Sequence, residues 1–449
     1  MHMTGIRTPR AIAFTRWAGA CALVLVGGCK SSLDVENPNN VSADALNVPA
    51  AAGAIVAGAE NIGANGLSSL YNATVPATDE AFWVGSRDDY RLLDTGGYTA
   101  VANEYVQSGF IIMSKARWMA NQAIDRLSAF NAKGDLLDRS LLARAYLNAA
   151  IIYTAIGDNF NDFAFSDRTE AGPNLGEANL VQVYDSALKW LDAGLALPNQ
   201  TTAMKTNLTG MRARVRHAKA VWQKLNPKGT TPANPLVSDA AMLADAQAAL
   251  AGMSGDFRYD AVTNDLNQGD GSGGGFGFEM NSRVEYTPNK DLADIDPNSG
   301  KPKSIIAKDP VTNTVDAAAV KVMGRVIAAI NMPPLTQFSE REMRLIIAEH
   351  QLASGNNAGF DTAINGLRAM DGKAAYTGAG PTRIQLLQWE RRVNLIFQSR
   401  RLSDMYRFGV KDPLWLATNI AVRKPGCKFP IPQIELDSNK KITGTTACS

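Results

Sequence analysis

Apolar residues recur every three or four positions over long parts of this chain, a spacing that is typical of amphipathic α-helices. The clearest stripe comprises Leu142, Ala145, Tyr146, Ala149, Ile152, Tyr153 and Ile156. Comparable stripes run over 113–127, 184–195, 343–347 and 386–397, and Pro198 is expected to end the second of them. The pattern predicts a mostly α-helical protein whose antiparallel helix pairs form a tetratricopeptide-like superhelix.

Two stretches lack this periodicity. Residues from about Gly255 to Pro310 are rich in Gly, Asn, Asp and Pro, and a glycine-rich run from Gly269 to Phe278 lies at their centre. A second irregular stretch, from Tyr71 to Tyr98, carries several aromatic residues. Long irregular segments on a helical scaffold are usually functional or mobile.

The N-terminal residues have the pattern of a secretory leader. Arg7, Arg10 and Arg16 precede an apolar run from Trp17 to Val26, with no acidic residue among them. A basic region, a short apolar region and small residues before a cleavage point are typical of a signal peptide. The apolar run is shorter than the roughly 20 residues that a membrane-spanning helix needs.

Cys29 directly follows the small residues Gly27 and Gly28, which makes this segment resemble the lipobox of bacterial lipoproteins. The resemblance implies a signal peptide over 1–28, lipidation of the Cys29 thiol, and a flexible lipidated tether over 29–43. An ordinary signal peptide and a short membrane anchor are the alternatives.

The charge of the chain changes once the leader is set aside. The full sequence has 45 basic and 43 acidic residues, and removal of the three leader arginines leaves 42 basic residues. A nearly neutral chain lacks the basic excess that nucleic-acid binding requires.

Cysteine and histidine usage limits the chemistry further. Apart from Cys21 in the leader and Cys29, the cysteines are Cys427 and Cys448, which either form one disulfide or stay as two thiols. No Cys-x-x-Cys pair is present, and only His217 and His350 lie beyond the leader. A zinc site, a His-ligated metal and a Ser-His-Asp triad are therefore disfavoured.

Two loop segments match ligand-binding motifs in sequence, but the residues around them do not fit those motifs. Gly269–Gly274 fits G-x-G-x-x-G, but no apolar strand precedes it, so a dinucleotide site is not expected. Asp291, Asp294, Asp296 and Asn298 offer oxygen atoms suited to Ca²⁺, yet Gly300 lies one position late for an EF-hand and a plain turn is the favoured interpretation. We expect neither a metal nor a cofactor.

Short segments along nearly the whole chain match one family pattern in order. They are Leu33–Asn39, Ala143–Tyr146 with Ile156–Asp158, Met343–Glu349 with Ile364–Arg368, Glu390–Phe397 with Arg400–Asp404 and Arg407–Gly409, and Phe429–Pro432. In this order the segments resemble the RagB/SusD family of nutrient-binding lipoproteins. Asn159-Phe160 replaces a frequent proline of that pattern, and Met405-Tyr406 and Phe408 replace its usual Leu and Trp.

This resemblance implies both a fold and a function. The fold is a single SusD-like α-helical domain over 44–449, with a loop excursion at about 255–310. The family sits at the outer face of the outer membrane, caps a SusC-type TonB-dependent β-barrel, and binds nutrients, commonly oligosaccharides, without catalysing a reaction. Charged motif residues are expected to form structural ion pairs; they are Arg144, Glu349, Glu390, Arg391, Arg392, Arg400 and Asp404.

Aromatic and polar residues of the two irregular stretches are the candidate ligand contacts. Sugar rings stack on aromatic side chains, and their hydroxyl groups bond to carboxylates, amides and guanidinium groups. The candidates are Trp83, Arg87, Asp88, Asp89 and Tyr90 in the first stretch, and Tyr259, Phe276, Phe278 and Tyr286 in the second. Alternatively, Trp83 is a core residue and the glycine-rich run is only a surface tip.

Two other functions stay open at this point. A helical scaffold that binds only protein would leave the loop aromatics unused. A glycosidase would need Asp88 or Asp89 together with a second carboxylate, which the sequence does not identify.

Overall fold

The computed structural model describes residues 44–167, 169–264, 275–444 and 448. The predicted signal peptide, the lipidation site Cys29, the tether and most of the glycine-rich run lie outside these residues. Before Ala52 the described chain holds two short 3₁₀ turns, Asp44–Leu46 and Pro49–Ala51. From Ala52 onward the chain forms one compact unit. The predicted domain boundary at residue 44 stays a prediction.

Helices dominate the described residues, so the predicted mostly α-helical fold is confirmed. The helices are α1 Ala52–Thr74, α2 Asp88–Asp94, α3 Glu104–Lys133, α4 Ser140–Asn159, α5 Gln182–Ala196, α6 Thr202–Lys224, α7 Ala240–Ala251, α8 Ala317–Ala328, α9 Glu340–Ala353, α10 Asn357–Ala369, α11 Arg383–Asn394, α12 Arg401–Phe408, α13 Ile420–Arg423 and α14 Gln433–Ser438. From α3 to α7 each long helix packs on the next one along the chain, as in helical-repeat proteins.

Local sequence explains where several helices begin and end. Asn103 caps α3 by accepting the backbone N–H groups of Tyr105 and Val106, and Gly134 ends that helix in the left-handed conformation. Thr382 and Gln385 form a reciprocal capping box at the start of α11. The predicted stripe over 386–397 is wrong at its end, because α11 stops at Asn394 and Phe397 has a positive φ of 60°.

The irregular stretches contain more order than the sequence predicts. Short strands lie at β1 Ala81–Trp83, β2 Arg258–Ala261, β3 Tyr286–Pro288, β4 Ala293–Ile295, β5 Pro302–Ile305 and β6 Leu335–Ser339. They form antiparallel pairs β1–β3, β2–β6 and β4–β5 among the described residues. A single π-helical turn, Phe278–Ser282, precedes β3.

Most of the charged motif residues form buried ion pairs, whereas Arg144 and Arg392 pair with the partly or largely exposed carboxylates of Glu60 and Asp291. On α12, Arg407 contacts Glu349 of α9 and also Asp404, at 2.8 Å, while Arg391 of α11 lies 2.8 Å from the same Asp404. Eight buried groups connected in this way are called here the charge network: Asp158, Arg214, Glu342, Glu349, Arg391, Arg400, Asp404 and Arg407. Its four carboxylates balance its four guanidinium groups, so the network fastens α4, α6, α9, α11 and α12 together.

The C-terminal segment is fastened to this body in two ways. Phe429 exchanges backbone hydrogen bonds with Asn159 and Asn161 at the end of α4, at 3.0 and 2.8 Å. Cys427 and Cys448 are joined by a disulfide. None of the helices in the described residues combines the length and the apolar character that a membrane crossing requires.

Candidate functional site

The β1–β3 pair brings the two irregular stretches of the sequence together. Phe82 lies opposite Thr287, and Trp83 lies opposite Tyr286, although about 200 residues separate the two strands. Beyond the strands, the backbone N–H groups of Val84 and Gly85 both donate to the carbonyl oxygen of Glu285. Both loops predicted to bind ligand therefore meet at one place.

Glu285 fixes this junction through its buried carboxylate. One carboxylate oxygen accepts the backbone N–H groups of Ser86 and Arg87 at 2.9 and 3.0 Å. A Cβ atom at Gly85 would come within 2.1 Å of the same carboxylate, so only glycine permits this close approach.

A cleft of about 690 Å³ opens beside the junction and is called here the β1 cleft. Phe82 and Val84 form one wall, and the opposite side consists of Ser282–Val284, Lys290 and the β4–β5 turn, Ile295–Lys301. The volume lies within the range of ligand sites in proteins. An aromatic ring, aliphatic side chains and several polar groups thus face a common space.

The electrostatics of the β1 cleft are dominated by cations. The ammonium group of Lys290 lies over the Phe82 ring, 4.9 Å from its centroid. Lys301, in the β4–β5 turn, is exposed and also lines the cleft. The lining carboxylate of Asp296 accepts the backbone N–H groups of Ser299 and Asn298, which lower its pKa below the ordinary value.

Backbone strain also occurs at this cleft. Val284 has a φ of 58°, a conformation that is unfavourable for a β-branched residue. Gly300 has a φ of 69°, and a Cβ atom at that position would approach the Val284 side chain to 2.9 Å. Val284 is held against Gly300, so substitutions at either position are expected to alter the cleft wall.

Three predicted ligand contacts are wrong, because their side chains are fully buried in the main core. Tyr90 stacks on Tyr105 with ring centroids 3.6 Å apart, and Tyr286 lies edge-on to Tyr90. Both tyrosine hydroxyl groups donate to the side-chain oxygen of Asn72, at 2.9 and 2.8 Å. Phe276 packs against Tyr71 in the same core. Burial raises the pKa of Tyr90 and of Tyr286 well above the ordinary value.

Trp83 and Phe278 are partly exposed, but neither lines the β1 cleft. Adjacent strand residues point to opposite faces, so Trp83 turns toward the core while Phe82 turns toward the cleft. The core interpretation of Trp83 is therefore the better one. Ligand binding by Phe278, which lies in the π-helical turn, stays a prediction.

The polar candidates of the first stretch mainly organise the start of α2 and α3. Asp88 makes a bidentate ion pair with Arg91, at 2.8 Å for both contacts. Asp89 accepts the backbone N–H of Glu104 at 2.7 Å, and Arg87 donates to the Tyr105 hydroxyl at 3.0 Å. The irregular stretch predicted here thus contains a short helix, α2, and a ligand role for these three residues stays a prediction.

Tyr259 lines a different cleft, of about 390 Å³, called here the Tyr259 cleft. Its ring stacks on Phe338 across the β2–β6 pair, with centroids 5.0 Å apart. The other walls come from α1 and α4, where Glu60 and Arg144 form a bidentate ion pair. Burial, followed by the nearby Glu60 carboxylate, raises the pKa of Tyr259 to about 12.

Two buried carboxyl groups near β1 have raised pKa values. Burial raises the pKa of Asp94 to about 7, helped by the neighbouring Asp412, whose own pKa is raised to about 6, mainly by burial. Asp94 accepts the backbone N–H of Trp83 at 3.2 Å, and neither carboxyl group lines a cleft described above.

Within the described ranges, no group of three or more His, Cys, Asp or Glu side chains could hold a metal ion.

Sequence reasoning missed Phe82, Lys290 and Lys301, which line the β1 cleft. Two signals were available in the sequence. Phe82 is next to Trp83, so strand alternation would assign one ring to the core and the other to solvent. The Asp296–Gly300 turn, interpreted only as a failed calcium loop, separates two short strand-like segments that bring the lysines to one rim.

Comparison with known proteins identifies the fold. No family model matches the chain, and no curated protein matches its sequence. A SusD superfamily protein from Bacteroides fragilis matches with a TM-score of 0.60, covering 88% of this chain and 99% of that protein at 14% identity. A SusD superfamily protein from Bacteroides thetaiotaomicron has the same TM-score, coverage and identity.

A third solved structure has a more specific description. It is a SusD-like carbohydrate binding protein from Bacteroides vulgatus, with a TM-score of 0.51 over 80% of this chain and 83% of that protein, at 12% identity. The SusD-like fold expected from the sequence motifs is confirmed by these matches.

Proposed function

We propose that this chain, which has the fold of SusD superfamily proteins, is a nutrient-binding lipoprotein of the outer membrane. In this proposal the Cys29 lipid anchor holds it at the cell exterior. Its ligand is an oligosaccharide, which it passes to a SusC-type TonB-dependent β-barrel transporter. The protein binds its ligand and does not transform it.

The observation that carries the proposal is the β1 cleft. It lies where the two long irregular stretches meet, and it presents the Phe82 ring beside carboxylate, amide and ammonium groups. A hydroxylated ring needs both an apolar surface and hydrogen-bonding groups, and this lining provides both. The carbohydrate binding described for one protein of the same fold supports this choice of ligand class.

The lining of the β1 cleft favours binding over hydrolysis. Glycosidases usually place two carboxyl groups on either side of the bond that they cleave. Asp296 is the carboxylate among the described lining residues, and it is engaged with the backbone of its own turn.

The ligand-binding part of the proposal can be tested with Phe82→Ala. Loss of the ring should weaken binding of an oligosaccharide found by glycan-array screening by about fivefold, since aromatic stacking contributes about 1 kcal/mol. Phe165→Ala is the matched control, because it removes a partly exposed Phe ring that also has a cation over it and lines neither cleft. Equal binding by the Phe82→Ala protein and the wild type, with both correctly folded, would exclude the β1 cleft as the site.

The transport part needs a separate experiment. The tagged, lipidated protein would be extracted from its own outer membrane in mild detergent and captured together with its partners. Recovery of a TonB-dependent barrel is expected. Capture of the lipoprotein without any barrel would refute delivery to a transporter while leaving ligand binding intact.

A further inference from the structure

Charged groups around the β1 cleft differ in whether they have a partner. Arg283 lies 3.4 Å from both Glu279 and Glu285, so its charge is compensated. Lys290 and Lys301 form no ion pair with any carboxylate of the described residues. Two ammonium groups at the rim of one cleft are thus left without a counter-charge.

The nearest carboxylates along the chain contact other groups. Asp291, next to Lys290, binds Arg392 at 2.6 Å. Asp294 pairs with Lys303 at 3.2 Å on the β4–β5 hairpin. Asp296 accepts hydrogen bonds from its own turn and lies 2.8 Å from the backbone nitrogen of Asn298. None of these three acids forms an ion pair with Lys290 or Lys301.

The positions of the two lysines indicate which kind of ligand the cleft would bind. Lys290 lies over the Phe82 ring, so a sugar ring bound beside Phe82 would have an ammonium group close to its substituents. Lys301 faces the same cleft from the β4–β5 turn. A sugar ligand that carries several carboxylates could neutralise both cations and still use the apolar wall.

Charged side chains at the Tyr259 cleft, in contrast, all have ion-pair partners. There, Arg144 is paired with Glu60, and Asp260 is paired with Arg325 and accepts the Thr336 hydroxyl at 2.7 Å. The charged groups around that cleft are paired with one another, whereas Lys290 and Lys301 of the β1 cleft have no ion-pair partner among the described residues.

We infer that the β1 cleft selects acidic oligosaccharides, and that Lys290 and Lys301 bind the carboxylates of their uronic acid residues. This inference rests on the proposed function and specifies its ligand class. It assigns no reaction to the protein.

Direct binding measurements on paired probes would test the inference. The probes are short oligogalacturonate, oligoalginate and chondroitin fragments, each compared with the same fragment after reduction of its carboxyl groups to neutral alcohols. Binding is measured by titration calorimetry on the wild type and on Lys290→Met, Lys301→Met and Lys303→Met. Lys303→Met is the matched control, because it removes the same charge from the same region but lies outside the cleft lining.

The expected result is that at least one acidic probe binds at least tenfold more tightly than its reduced counterpart. Lys290→Met and Lys301→Met should each weaken that binding by about 3- to 10-fold, and Lys303→Met by less than twofold. Raising NaCl from about 0.05 to 0.5 M should weaken binding of the acidic probe more than that of any neutral one.

Other outcomes separate the inference from the proposed function. Equal binding of acidic and reduced probes, or equal losses in all three lysine variants, would overturn the inference. Binding of neutral glycans alone would overturn it too, and the proposed function would stand. If neither acidic nor neutral glycans bind, the proposed carbohydrate-binding function fails with it.

Discussion

Charged side chains are buried and paired in the charge network, whereas two lysines of the β1 cleft are exposed and have no carboxylate partner among the described residues. In the network, Arg407 and Glu349 are fully buried, and each arginine lies against a carboxylate. In the cleft, Lys290 and Lys301 are exposed and have no carboxylate partner among the described residues. Charges that are paired and buried hold helices together, whereas charges that are unpaired at an open cleft are available to a ligand.

Ionisation in the network follows from this pairing. Burial alone would raise the pKa of Glu349, but the Arg407 charge, together with Arg391 and the hydrogen bond to His217, holds it well below the ordinary value. Burial lowers the pKa of His217, so this side chain is neutral near pH 7 although it contacts Glu349 at 3.0 Å. The network therefore depends on arginine rather than on histidine for its positive charge.

Removal of one network carboxylate should produce the largest effect on stability. Glu349→Gln leaves Arg407 buried beside a neutral group and disturbs contacts with His217 and the backbone N–H of Val237. We expect the free energy of unfolding to fall by about 3–5 kcal/mol, measured by urea denaturation. A loss below 1 kcal/mol would contradict a structural role for the network.

Asp294→Asn is the matched control for that experiment. It also neutralises one acid of an ion pair, but Asp294 and Lys303 are both about half exposed. Solvent screening makes such pairs weak, so the free energy of unfolding should change by less than about 1 kcal/mol.

Glu80 offers a test of a buried carboxyl group without a close cation. Burial, followed by the Asp79 charge, raises its pKa from 4.5 to about 8, and its side chain accepts the backbone N–H of Phe397 at 3.1 Å. At pH 7 the folded protein therefore holds a proton that the unfolded chain has released. Stability should fall as pH rises from about 4.5 to about 8, by at most about 1.4 kcal/mol per pH unit from this group.

Glu80→Gln should remove that contribution, because glutamine has no proton to lose. The difference in unfolding free energy between variant and wild type should shift in favour of the variant with each unit from pH 5 to pH 8. Parallel pH profiles for the two proteins would show that Glu80 is ionised in the folded state.

Tyr286→Phe separates core aromatics from cleft aromatics. The change removes a hydrogen bond of 2.8 Å to Asn72 in the core, so the unfolding free energy should fall by about 1 kcal/mol. Oligosaccharide affinity should stay the same, in contrast to Phe82→Ala. A loss of affinity without loss of stability would return Tyr286 to the ligand site.

The fold was accessible from sequence because helix stripes and motif order repeat over many positions. The stripe in α4 and the charged pattern from Glu390 to Arg407 each occupy several turns, so individual errors matter little. Ion pairing of the motif residues was also predictable, since charges on apolar helix faces need partners.

The candidate site was predicted only as a region. The sequence indicated that the two irregular stretches hold the binding site, and the β1–β3 pair joins them. The sequence could not show which side chains face the core. Phe82 and Trp83 are adjacent in a strand, and a shift of one residue would exchange the side chain that faces the core with the one that faces solvent. Tyr90, Phe276 and Tyr286 were mistaken for ligand contacts because the residue type alone does not distinguish an aromatic side chain on a loop surface from one in the core.

The smallest expected effect on stability comes from the unpaired lysines. Lys301→Met removes no ion pair, so the unfolding free energy should stay within about 0.5 kcal/mol of the wild type. Lys290→Met also removes the cation over the Phe82 ring and should lower the unfolding free energy by about 0.5–1 kcal/mol. Urea denaturation of each variant, beside Glu349→Gln, measures this directly. A loss above 1 kcal/mol would mean that these lysines support the fold, and the contrast between network and cleft would then fail. A small change in stability together with weakened binding of acidic oligosaccharides is the combination that a ligand-binding role requires, because neither lysine has a carboxylate partner that its removal would leave buried and uncompensated.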